Sequence, residues 1–473
     1  MLTIIKEKYL GFLSWMVLIL SVVTTYSNLT DEGFGMFLNS DTLGIPDLYN
    51  DVVNGDGKIK DWVIAASTQV FPDALLYTLI EKIFQLGIIK TAFVYGLIQV
   101  IIVTVLMIRL YTKLVVDDLK KYAWLIPVFM SMFFLESFYF SKDSFLSFLP
   151  TSYIYHFGVL INMLIVLLLY FSSYSKIKKY SLIFLFSAIA GFSDKLLLVL
   201  LIAPFFLTLM VFVKKETIKD TLFVMGTIII GTIIGFYIYG YIKVNKLATF
   251  QEVRMYFTKK DIILSVNMFY EQMVTYIKTG GFRSFQLVFT FLAIVGSVLY
   301  YFKNKKSGNY KQLFLMVFFV FFSACTICAP FVNGSYTGYD TLRYNVAPYS
   351  FASIIFAFFI GPLIQQKYTI KNTESMNDEP QVINYEKGVE VVPQNKTKKV
   401  RNEPLVKKNI TKKKQLVIEE DSESEGEERE EREEREVPDY VPNSPEYNPS
   451  SPPYNAVKEA QQDQQDNFEE EES

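Results

Sequence analysis

The chain has 473 residues, of which 51% are hydrophobic and 16% aromatic. This composition is too apolar for an ordinary soluble domain and predicts an all-α, polytopic integral membrane protein. The net charge of −2 does not predict a partner, because the acidic residues concentrate in the C-terminal tail while the loops between apolar runs carry lysines. The sequence contains no nucleotide-binding loop, zinc-ligand spacing or serine-hydrolase elbow, which argues against ATP-driven pumps and soluble-type hydrolases.

Long apolar runs divide the first 366 residues. A membrane-spanning helix needs about 20 mostly apolar residues. The first run could be a signal peptide, but the residues after it make a poor cleavage site, so we expect a retained span. The fifth run is too long for one span and is interrupted at Gly191-Phe192-Ser193-Asp194-Lys195. The runs are 9–26, 91–112, 122–140, 153–171, 180–213, 221–240, 284–302, 311–332 and 346–366.

The lysines decide how the fifth run crosses the membrane, because basic residues collect in cytoplasmic loops. If 180–213 is a hairpin turning at Ser193-Asp194, all the basic clusters lie on one side; if it is one span, they do not. We therefore predict about ten spans, with both termini cytoplasmic. The membrane itself stays open between the host endoplasmic reticulum, the plasma membrane and a viral membrane. The clusters are Lys120-Lys121, Lys176/Lys178/Lys179, Lys214-Lys215 and Lys303/Lys305/Lys306.

Two long loops, 27–90 and 241–283, lie on the exported side in this topology. Residues 74–90 predict an interfacial or re-entrant helix, because the segment is apolar but short and contains charges. Apolar residues recur at helical spacing from 262 to 277, which predicts an amphipathic helix on the membrane surface or a lid over a site. The segment 51–61 looks like a calcium-binding loop, but valines replace its first and last acidic ligands, so we expect a turn.

The composition changes abruptly after Gln366. Residues 367–473 contain a basic block, an acidic block and a Glu-rich end, with too few large apolar residues to offset the entropy cost of ordering. We expect a disordered, charged cytoplasmic tail that could bind cytoplasmic protein partners. No nucleic-acid partner is expected.

Ionisable residues at the edges of membrane helices are the candidates for function, because charge placed there costs on the order of a few kcal/mol unless it is used or paired. Asp41 could act as a general base, hold a divalent cation, or simply cap a helix. Lys195 and Arg343 could bind a phosphate leaving group, although Asp340 could instead neutralise Arg343. His156 is the only histidine, and a lone histidine at a helix start is more often structural than catalytic.

Five short motifs, together with the topology, resemble the GT-C superfamily of polytopic membrane glycosyltransferases. The resemblance covers about residues 1–366. Proteins of this superfamily have a first span, a long exported loop with an essential acid, many further spans, and late basic residues that hold a lipid phosphate. The motifs are SDTLGIPDLY at 40–49, FPD at 71–73, YHFG at 155–158, GFSDK at 191–195 and RYNVAP at 343–348.

The resemblance implies sugar transfer from a polyprenyl- or dolichyl-phosphate donor to an acceptor at the lumenal or exocytoplasmic face, with inversion in a single displacement. Asp41 would be the general base, with Asp47 in reserve. Many relatives place adjacent acids directly after the first span, and Asp31-Glu32 stands there in this chain. The identity of the base therefore stays open between these acids.

The same resemblance implies a binding site for the lipid phosphate. Lys195 and Arg343 would face that phosphate, and the matched motifs bring His156, Asp194 and Tyr344 into the substrate-binding set. No resident metal site is predicted, although a divalent cation could take part. The charged tail resembles extensions found in proteins of large DNA viruses or protists.

Two other functional classes stay open. A transporter or flippase would line a translocation path with the charges at the helix edges, but such proteins usually contain matching broken helices in two halves. In this sequence we find one broken run, at 191–195. A non-enzymatic scaffold would act through the tail, so deletion of the tail would abolish its function.

Overall fold

A computed structural model describes residues 2–27, 40–64, 69–140, 155–212, 218–250, 258–279, 283–306, 309–332 and 346–377. The chain divides into two units, Met1–Ile383 and Asn384–Ser473, and the second lies wholly outside the described residues. Of the predicted tail, the structure describes residues 367–377, which continue the last helix to Asn377.

The described part is almost entirely helical, as the composition predicts. The longer helices are α1 (Leu2–Ser27), α2 (Ser40–Tyr49), α3 (Leu75–Phe84), α4 (Ile88–Leu114), α5 (Leu125–Phe140), α6 (Tyr155–Tyr170), α7 (Lys176–Ser193), α8 (Ala203–Val211), α9 (Ile218–Val244), α10 (Lys259–Thr279), α11 (Arg283–Asn304), α12 (Tyr310–Val332) and α13 (Val346–Asn377). The shorter elements are helical turns at Asn50–Asn54, Ile59–Asp61, Val70–Ala74, Asp117–Lys120, Lys121–Trp124 and Leu198–Ile202, and the strands β1 (Val63–Ile64) and β2 (Thr249–Phe250).

Five helices in the described part are long and apolar enough to cross a membrane, namely α4, α9, α11, α12 and α13. Apolar helices of 10–17 residues occupy Tyr9–Thr25, Phe157–Tyr170 and Leu198–Val211. For the described residues, these observations confirm an almost entirely helical protein with the features of a membrane protein. The helices coincide closely with the predicted runs, because long stretches without charge favour a helix that satisfies its own backbone hydrogen bonds.

The predicted interruption of the fifth apolar run is present in the structure. Helix α7 ends at Ser193, and Asp194 has extended backbone angles, φ −153° and ψ 128°. A turn and the wide helical turn Leu198–Ile202 then lead into α8, which has a proline in its first turn, a favoured position for this residue. The run 180–213 therefore forms two helices with a polar turn between them.

Contacts between helix ends define one end of the bundle. The Lys176 ammonium lies 2.8 Å from the Asp220 carboxylate and joins the starts of α7 and α9. Gln312 at the start of α12 donates a hydrogen bond of 2.9 Å to the Leu114 carbonyl at the end of α4. We call this the lysine end, because the described basic clusters adjoin these contacts; Lys214-Lys215 lies outside the described residues. Those clusters are Lys120-Lys121, Lys176/Lys178/Lys179 and Lys303/Lys305/Lys306.

We call the opposite end the Asp194 end: here α7 ends, and α4 and α6 begin. Between the two ends, aromatic rings fill much of the core. The rings of Phe289 on α11 and Phe356 on α13 stack with their centroids 4.0 Å apart. Lipid tails are as apolar as these side chains, so close packing contributes more than exclusion from water to holding such helices together.

Two helices flank the bundle at the predicted membrane surface. Helix α3 lies within the segment predicted to be interfacial, and it exposes Leu75, Leu79 and Ile83 while burying Tyr77 and Ile80. This one-sided exposure is typical of an interfacial helix. The predicted amphipathic helix is present as α10, which covers 262–277 and continues at both ends.

Helix α10 packs against the bundle through its aromatic side. The ring of Phe269 meets that of Phe331 on α12 edge to face, with centroids 4.9 Å apart. Ile263, Val266 and Tyr270 are exposed. The helix therefore contacts the bundle and also presents apolar side chains outward, as a helix lying in a membrane interface does.

Glycines allow α7 and α9 to approach each other closely. A Cβ atom at Gly231 would lie 2.7 Å from the Phe184 carbonyl oxygen, and one at Gly235 would overlap the Ala188 carbonyl oxygen. Gly231 and Gly235 have the Gly-x-x-x-Gly spacing that brings membrane helices together. This contact holds the end of α7, and with it Asp194, against α9.

We predict that Gly235→Ala destabilises the protein, whereas Gly226→Ala on the same helix does not. A methyl group at Gly235 overlaps the α7 backbone, and overpacking of this kind costs about 1–3 kcal/mol. A Cβ at Gly226 would have no neighbour within 4 Å, and alanine favours helix over glycine. The check is the thermal unfolding temperature of the two detergent-solubilised variants; equal temperatures would contradict the close contact.

Candidate functional site

The turn Val70–Ala74 from the first long loop is hydrogen bonded to the end of α7. The Gln69 backbone N–H donates to the Ser193 carbonyl at 2.9 Å, and the Phe71 N–H donates to the Ser193 hydroxyl at 3.0 Å. Asn162 on α6 donates through its side-chain amide to the Phe71 carbonyl at 3.2 Å. Three separate parts of the sequence thus meet at the Asp194 end.

The Asp73 carboxyl group lies at the centre of this junction and is 5% exposed. The Tyr95 hydroxyl and the Gln99 side-chain amide both donate to its Oδ1, the latter at 2.7 Å. Tyr95 and Gln99 are four residues apart on α4, so their side chains lie on the same helix face. Two donors on one oxygen stabilise the ionised carboxylate.

Gly158, near the start of α6, makes room for this carboxylate. A Cβ atom at position 158 would overlap Oδ2 of Asp73 and would lie 2.8 Å from Oδ1. Any larger residue would displace the carboxylate from its hydrogen-bond donors. The FPD and YHFG motifs are therefore in direct contact.

Opposing influences act on the protonation of Asp73. The pKa of the Asp73 carboxyl group is raised to about 7: burial raises it most, the hydrogen bond from Tyr95 lowers it, the negative charge of Asp194 raises it, and the hydrogen bond from Gln99 lowers it. Burial has the largest effect because it removes the water that would otherwise stabilise the charged form. A carboxyl group that titrates near neutral pH can take up and release a proton under physiological conditions.

Asp194 and Lys195 follow directly after α7. The Asp194 side chain is 5% exposed, and its Oδ1 accepts a hydrogen bond of 2.8 Å from the Leu196 backbone N–H. Lys195 is exposed, with its ammonium group 4.7 Å from the centroid of the Tyr239 ring on α9. An exposed cation therefore follows the buried Asp194 directly in the sequence.

A small apolar cluster connects helix α2 to this site. Ile45 and Tyr49 of α2 pack with Tyr77 of α3 and Tyr95 of α4 in one buried cluster. The Tyr49 and Tyr77 rings meet edge to face with centroids 5.9 Å apart. Since Tyr95 also donates to Asp73, the cluster anchors both flanks of the first long loop to the same helix face.

The middle of the first loop forms a turn, as predicted. The Gly57 N–H donates to the Asp51 carbonyl at 3.0 Å, and the Trp62 indole N–H donates to the Asp51 carboxylate. Among the described residues no group of three or more His, Cys, Asp or Glu side chains could hold a metal ion. Beyond the turn, β1 pairs with β2 in parallel and joins the two predicted exported loops.

The predicted site residues differ in how far the structure describes them. Asp41 lies in α2 and His156 lies in the first turn of α6, but the description does not extend to their side chains. Asp47 is exposed on α2, but the surrounding protein removes part of the water around its carboxyl group and so raises the pKa of that group. Arg343 and Tyr344 lie outside the described residues, as do Asp31 and Glu32.

Comparison of the chain with protein-family models, curated proteins and solved structures finds no match. Its function is therefore inferred from the chemistry of the site and from the sequence resemblance.

Sequence reasoning recognised the FPD motif but missed the polar side chains that surround Asp73. Tyr95, Gln99 and Asn162 lie inside long apolar runs and are buried. A polar side chain in such a run is costly without a partner, and the spacing of Tyr95 and Gln99 places both on one helix face. That combination was a detectable signal for a buried polar partner.

We predict that Asp73→Asn changes how stability depends on pH. The pKa of Asp73 is about 7 in the folded state and about 4 in the unfolded state. The folded state therefore binds the proton more tightly than the unfolded state does. The stability from this group is therefore greatest below about pH 4 and is lost as pH rises through about 7, by on the order of a few kcal/mol.

The measurement is thermal unfolding of both proteins in detergent between acidic and slightly alkaline pH. The wild type should lose stability relative to Asp73→Asn as pH rises, since asparagine does not titrate. Parallel curves would show that Asp73 titrates in its ordinary range.

Proposed function

We propose that the chain is a membrane glycosyltransferase of the GT-C type, which transfers a sugar from a polyprenyl- or dolichyl-phosphate donor to an acceptor at the lumenal or exocytoplasmic face. The observation that carries the proposal is the buried carboxyl group of Asp73, held by two donors and titrating near pH 7. A general base is most effective when its pKa lies near the working pH.

The proposed topology has ten membrane crossings, with both termini on the cytoplasmic side. Helices α1, α4, α5, α6, α7, α8, α9, α11, α12 and α13 would cross. The lysine end would face the cytoplasm, in agreement with the preference of basic residues for that side. The Asp194 end, with Asp73 and Lys195, would then face the lumen or the exterior.

The transfer would be a single displacement at the anomeric carbon of the donor sugar. The acceptor oxygen forms a bond to that carbon while the bond to the phosphate oxygen breaks, so configuration inverts and the lipid phosphate leaves. The acceptor proton passes to the Asp73 carboxylate. The Lys195 ammonium would stabilise the charge on the leaving phosphate, and Arg343, Tyr344 and His156 stay in the proposed binding set through the resemblance.

Asp73 is our first candidate for the base, and Asp41 and Asp47 are the alternatives. The burial of Asp73 and its neighbours Tyr95, Gln99 and Asp194 explain a pKa near neutrality. Helix α2, which contains the other two acids, is anchored by Ile45 and Tyr49 to the cluster that includes Tyr95. Helix α2 therefore packs beside the residues that hold Asp73, and substitution can show which of the three acids is the base.

We predict that Asp73→Asn lowers sugar transfer from a lipid-phosphate donor at least about 100-fold, the usual contribution of general-base catalysis. The assay uses purified protein in lipid vesicles with radiolabelled polyprenyl-phosphate sugars and candidate acceptors. Asp41→Asn is tested in parallel, and loss of transfer in that variant alone would assign the base to Asp41.

Asp117→Asn is the matched control for this assay. Asp117 is exposed at the lysine end and pairs with Lys120, and exposed pairs contribute little to stability. Full transfer by both Asp73→Asn and Asp41→Asn, with normal folding, would rule out either acid as the base.

A proton-coupled lipid or sugar transporter is the second candidate function. It is favoured by the break between α7 and α8 at a buried carboxyl group, since transporters use discontinuous helices and membrane-embedded acids for coupling. Proteoliposomes with an imposed pH gradient distinguish the two functions. Uptake driven by the gradient, without sugar transfer, would identify the transporter.

We predict that truncation after Asn377 leaves sugar transfer near the wild-type rate. The last described helix ends there, and the proposed catalytic residues all precede it. A scaffold that acts through its tail would instead lose its function on truncation. The check is the transfer assay on truncated and full-length protein at equal concentration.

A further inference from the structure

We propose that the lysine end binds the headgroups of anionic phospholipids, such as phosphatidylserine, through its described basic clusters, each of which combines lysines with an aromatic ring. The inference goes beyond the proposed function and does not rest on it. It needs only the membrane character of the described helices and the placement of charge at their ends.

Positive charge is in excess at the lysine end. Among the side chains that the structure describes there, the acids are Asp117, Asp118 and Asp220. Asp117 pairs with Lys120 and Asp220 pairs with Lys176, and the other lysines of the described clusters have no ion pair with a described carboxylate. A surface of this kind attracts an anionic bilayer, and each lysine near the bilayer strengthens binding about fivefold.

Each described basic cluster places one ammonium group over an aromatic ring. The distances from the ammonium nitrogen to the ring centroid are 5.3 Å for Lys121 over Tyr122, 4.7 Å for Lys178 over Tyr174 and 5.3 Å for Lys305 over Phe302. Aromatic rings concentrate at the level of the lipid headgroups, and long lysine side chains extend their ammonium groups to the same level. These pairs therefore suit the depth at which lipid phosphates lie.

Apolar side chains are exposed among these lysines. Ile177, which stands between two lysines, is 82% exposed, and Tyr174 and Phe302 are exposed as well. An acidic protein segment, such as the block 419–436 of this chain, would neutralise the lysines but has few apolar side chains to cover Ile177. The headgroup region of a bilayer accommodates both kinds of group, because it offers phosphates to the cations and the acyl-chain boundary to the apolar side chains. The combination favours lipid as the partner.

Contacts between the helices make the clusters parts of one surface. The Tyr170 hydroxyl at the end of α6 lies 3.3 Å from the Tyr310 hydroxyl at the start of α12. The Tyr300 hydroxyl, near the end of α11, donates to the Gln312 side chain at 2.9 Å, and Gln312 in turn donates to the end of α4. Together with the ion pair between α7 and α9, these contacts hold the clusters at one end of the bundle, where several headgroups can bind side by side.

The test is native mass spectrometry of the full-length protein in detergent, titrated with phosphatidylserine or with phosphatidylcholine of the same acyl chains. The wild type should bind phosphatidylserine at least about tenfold more tightly, because several lysines contribute, and the preference should shrink as the salt concentration rises. The double variant with Lys178→Gln and Lys305→Gln should lose most of this preference. Ile177→Ser should weaken the binding of both lipids, because it removes an apolar contact without changing the charge.

The double variant with Lys58→Gln and Lys60→Gln is the matched control. Both lysines are exposed in the middle of the first loop, and their substitution removes the same charge, so the preference for phosphatidylserine should be kept. An equal loss of preference in this control would show an effect of net charge alone and would overturn the assignment of the surface.

Equal affinity of the wild type for the two lipids would also overturn the inference. Carbodiimide cross-links from Lys178 to the block 419–436, found together with equal affinity, would identify the acidic tail as the partner instead. None of these outcomes depends on sugar transfer, which is assayed separately, so this inference and the proposed function can fail independently.

Discussion

The hydrogen bonds from Gln69 and Phe71, at the start of the turn Val70–Ala74, to Ser193 are the constraint on which the candidate site depends. They join the first long loop to the end of α7, and the glycine contact with α9 holds that end in place. A turn facing an apolar bundle must find partners for its backbone groups. By providing them, Ser193 and Asn162 fix the position of Asp73 among residues distant in the sequence.

Burial of Asp73 is costly, and its surroundings offset only part of that cost. Burial disfavours the charged form, while the donors Tyr95 and Gln99 favour it, and the balance is a pKa of about 7. If the hydrogen bonds offset the cost of burial completely, the carboxylate would stay ionised at neutral pH. If they offset none of it, the carboxyl group would stay protonated. Perturbed groups of this kind concentrate at functional sites, which is why a structural role alone explains the arrangement less well.

The helices flanking the bundle bear on access to this site. Helix α3 follows directly after Asp73 and exposes apolar side chains on one face, while α2 is anchored beside it through Tyr49 and Tyr77. An interfacial position for α3 would place the carboxyl group of Asp73 near the boundary between lipid and water. A lipid-linked substrate, with a polar head and a long apolar chain, is chemically suited to such a boundary.

Sequence alone determined the helices and the interruption at Ser193-Asp194, because the length of an apolar run and the placement of lysines are local properties. It also singled out the FPD, YHFG and GFSDK motifs, but it could not show that they meet. Only the tertiary structure brought Tyr95, Gln99 and Gly158 to Asp73. The reason is physical: burial and its effect on a pKa depend on neighbours far apart in the chain, which no local pattern specifies.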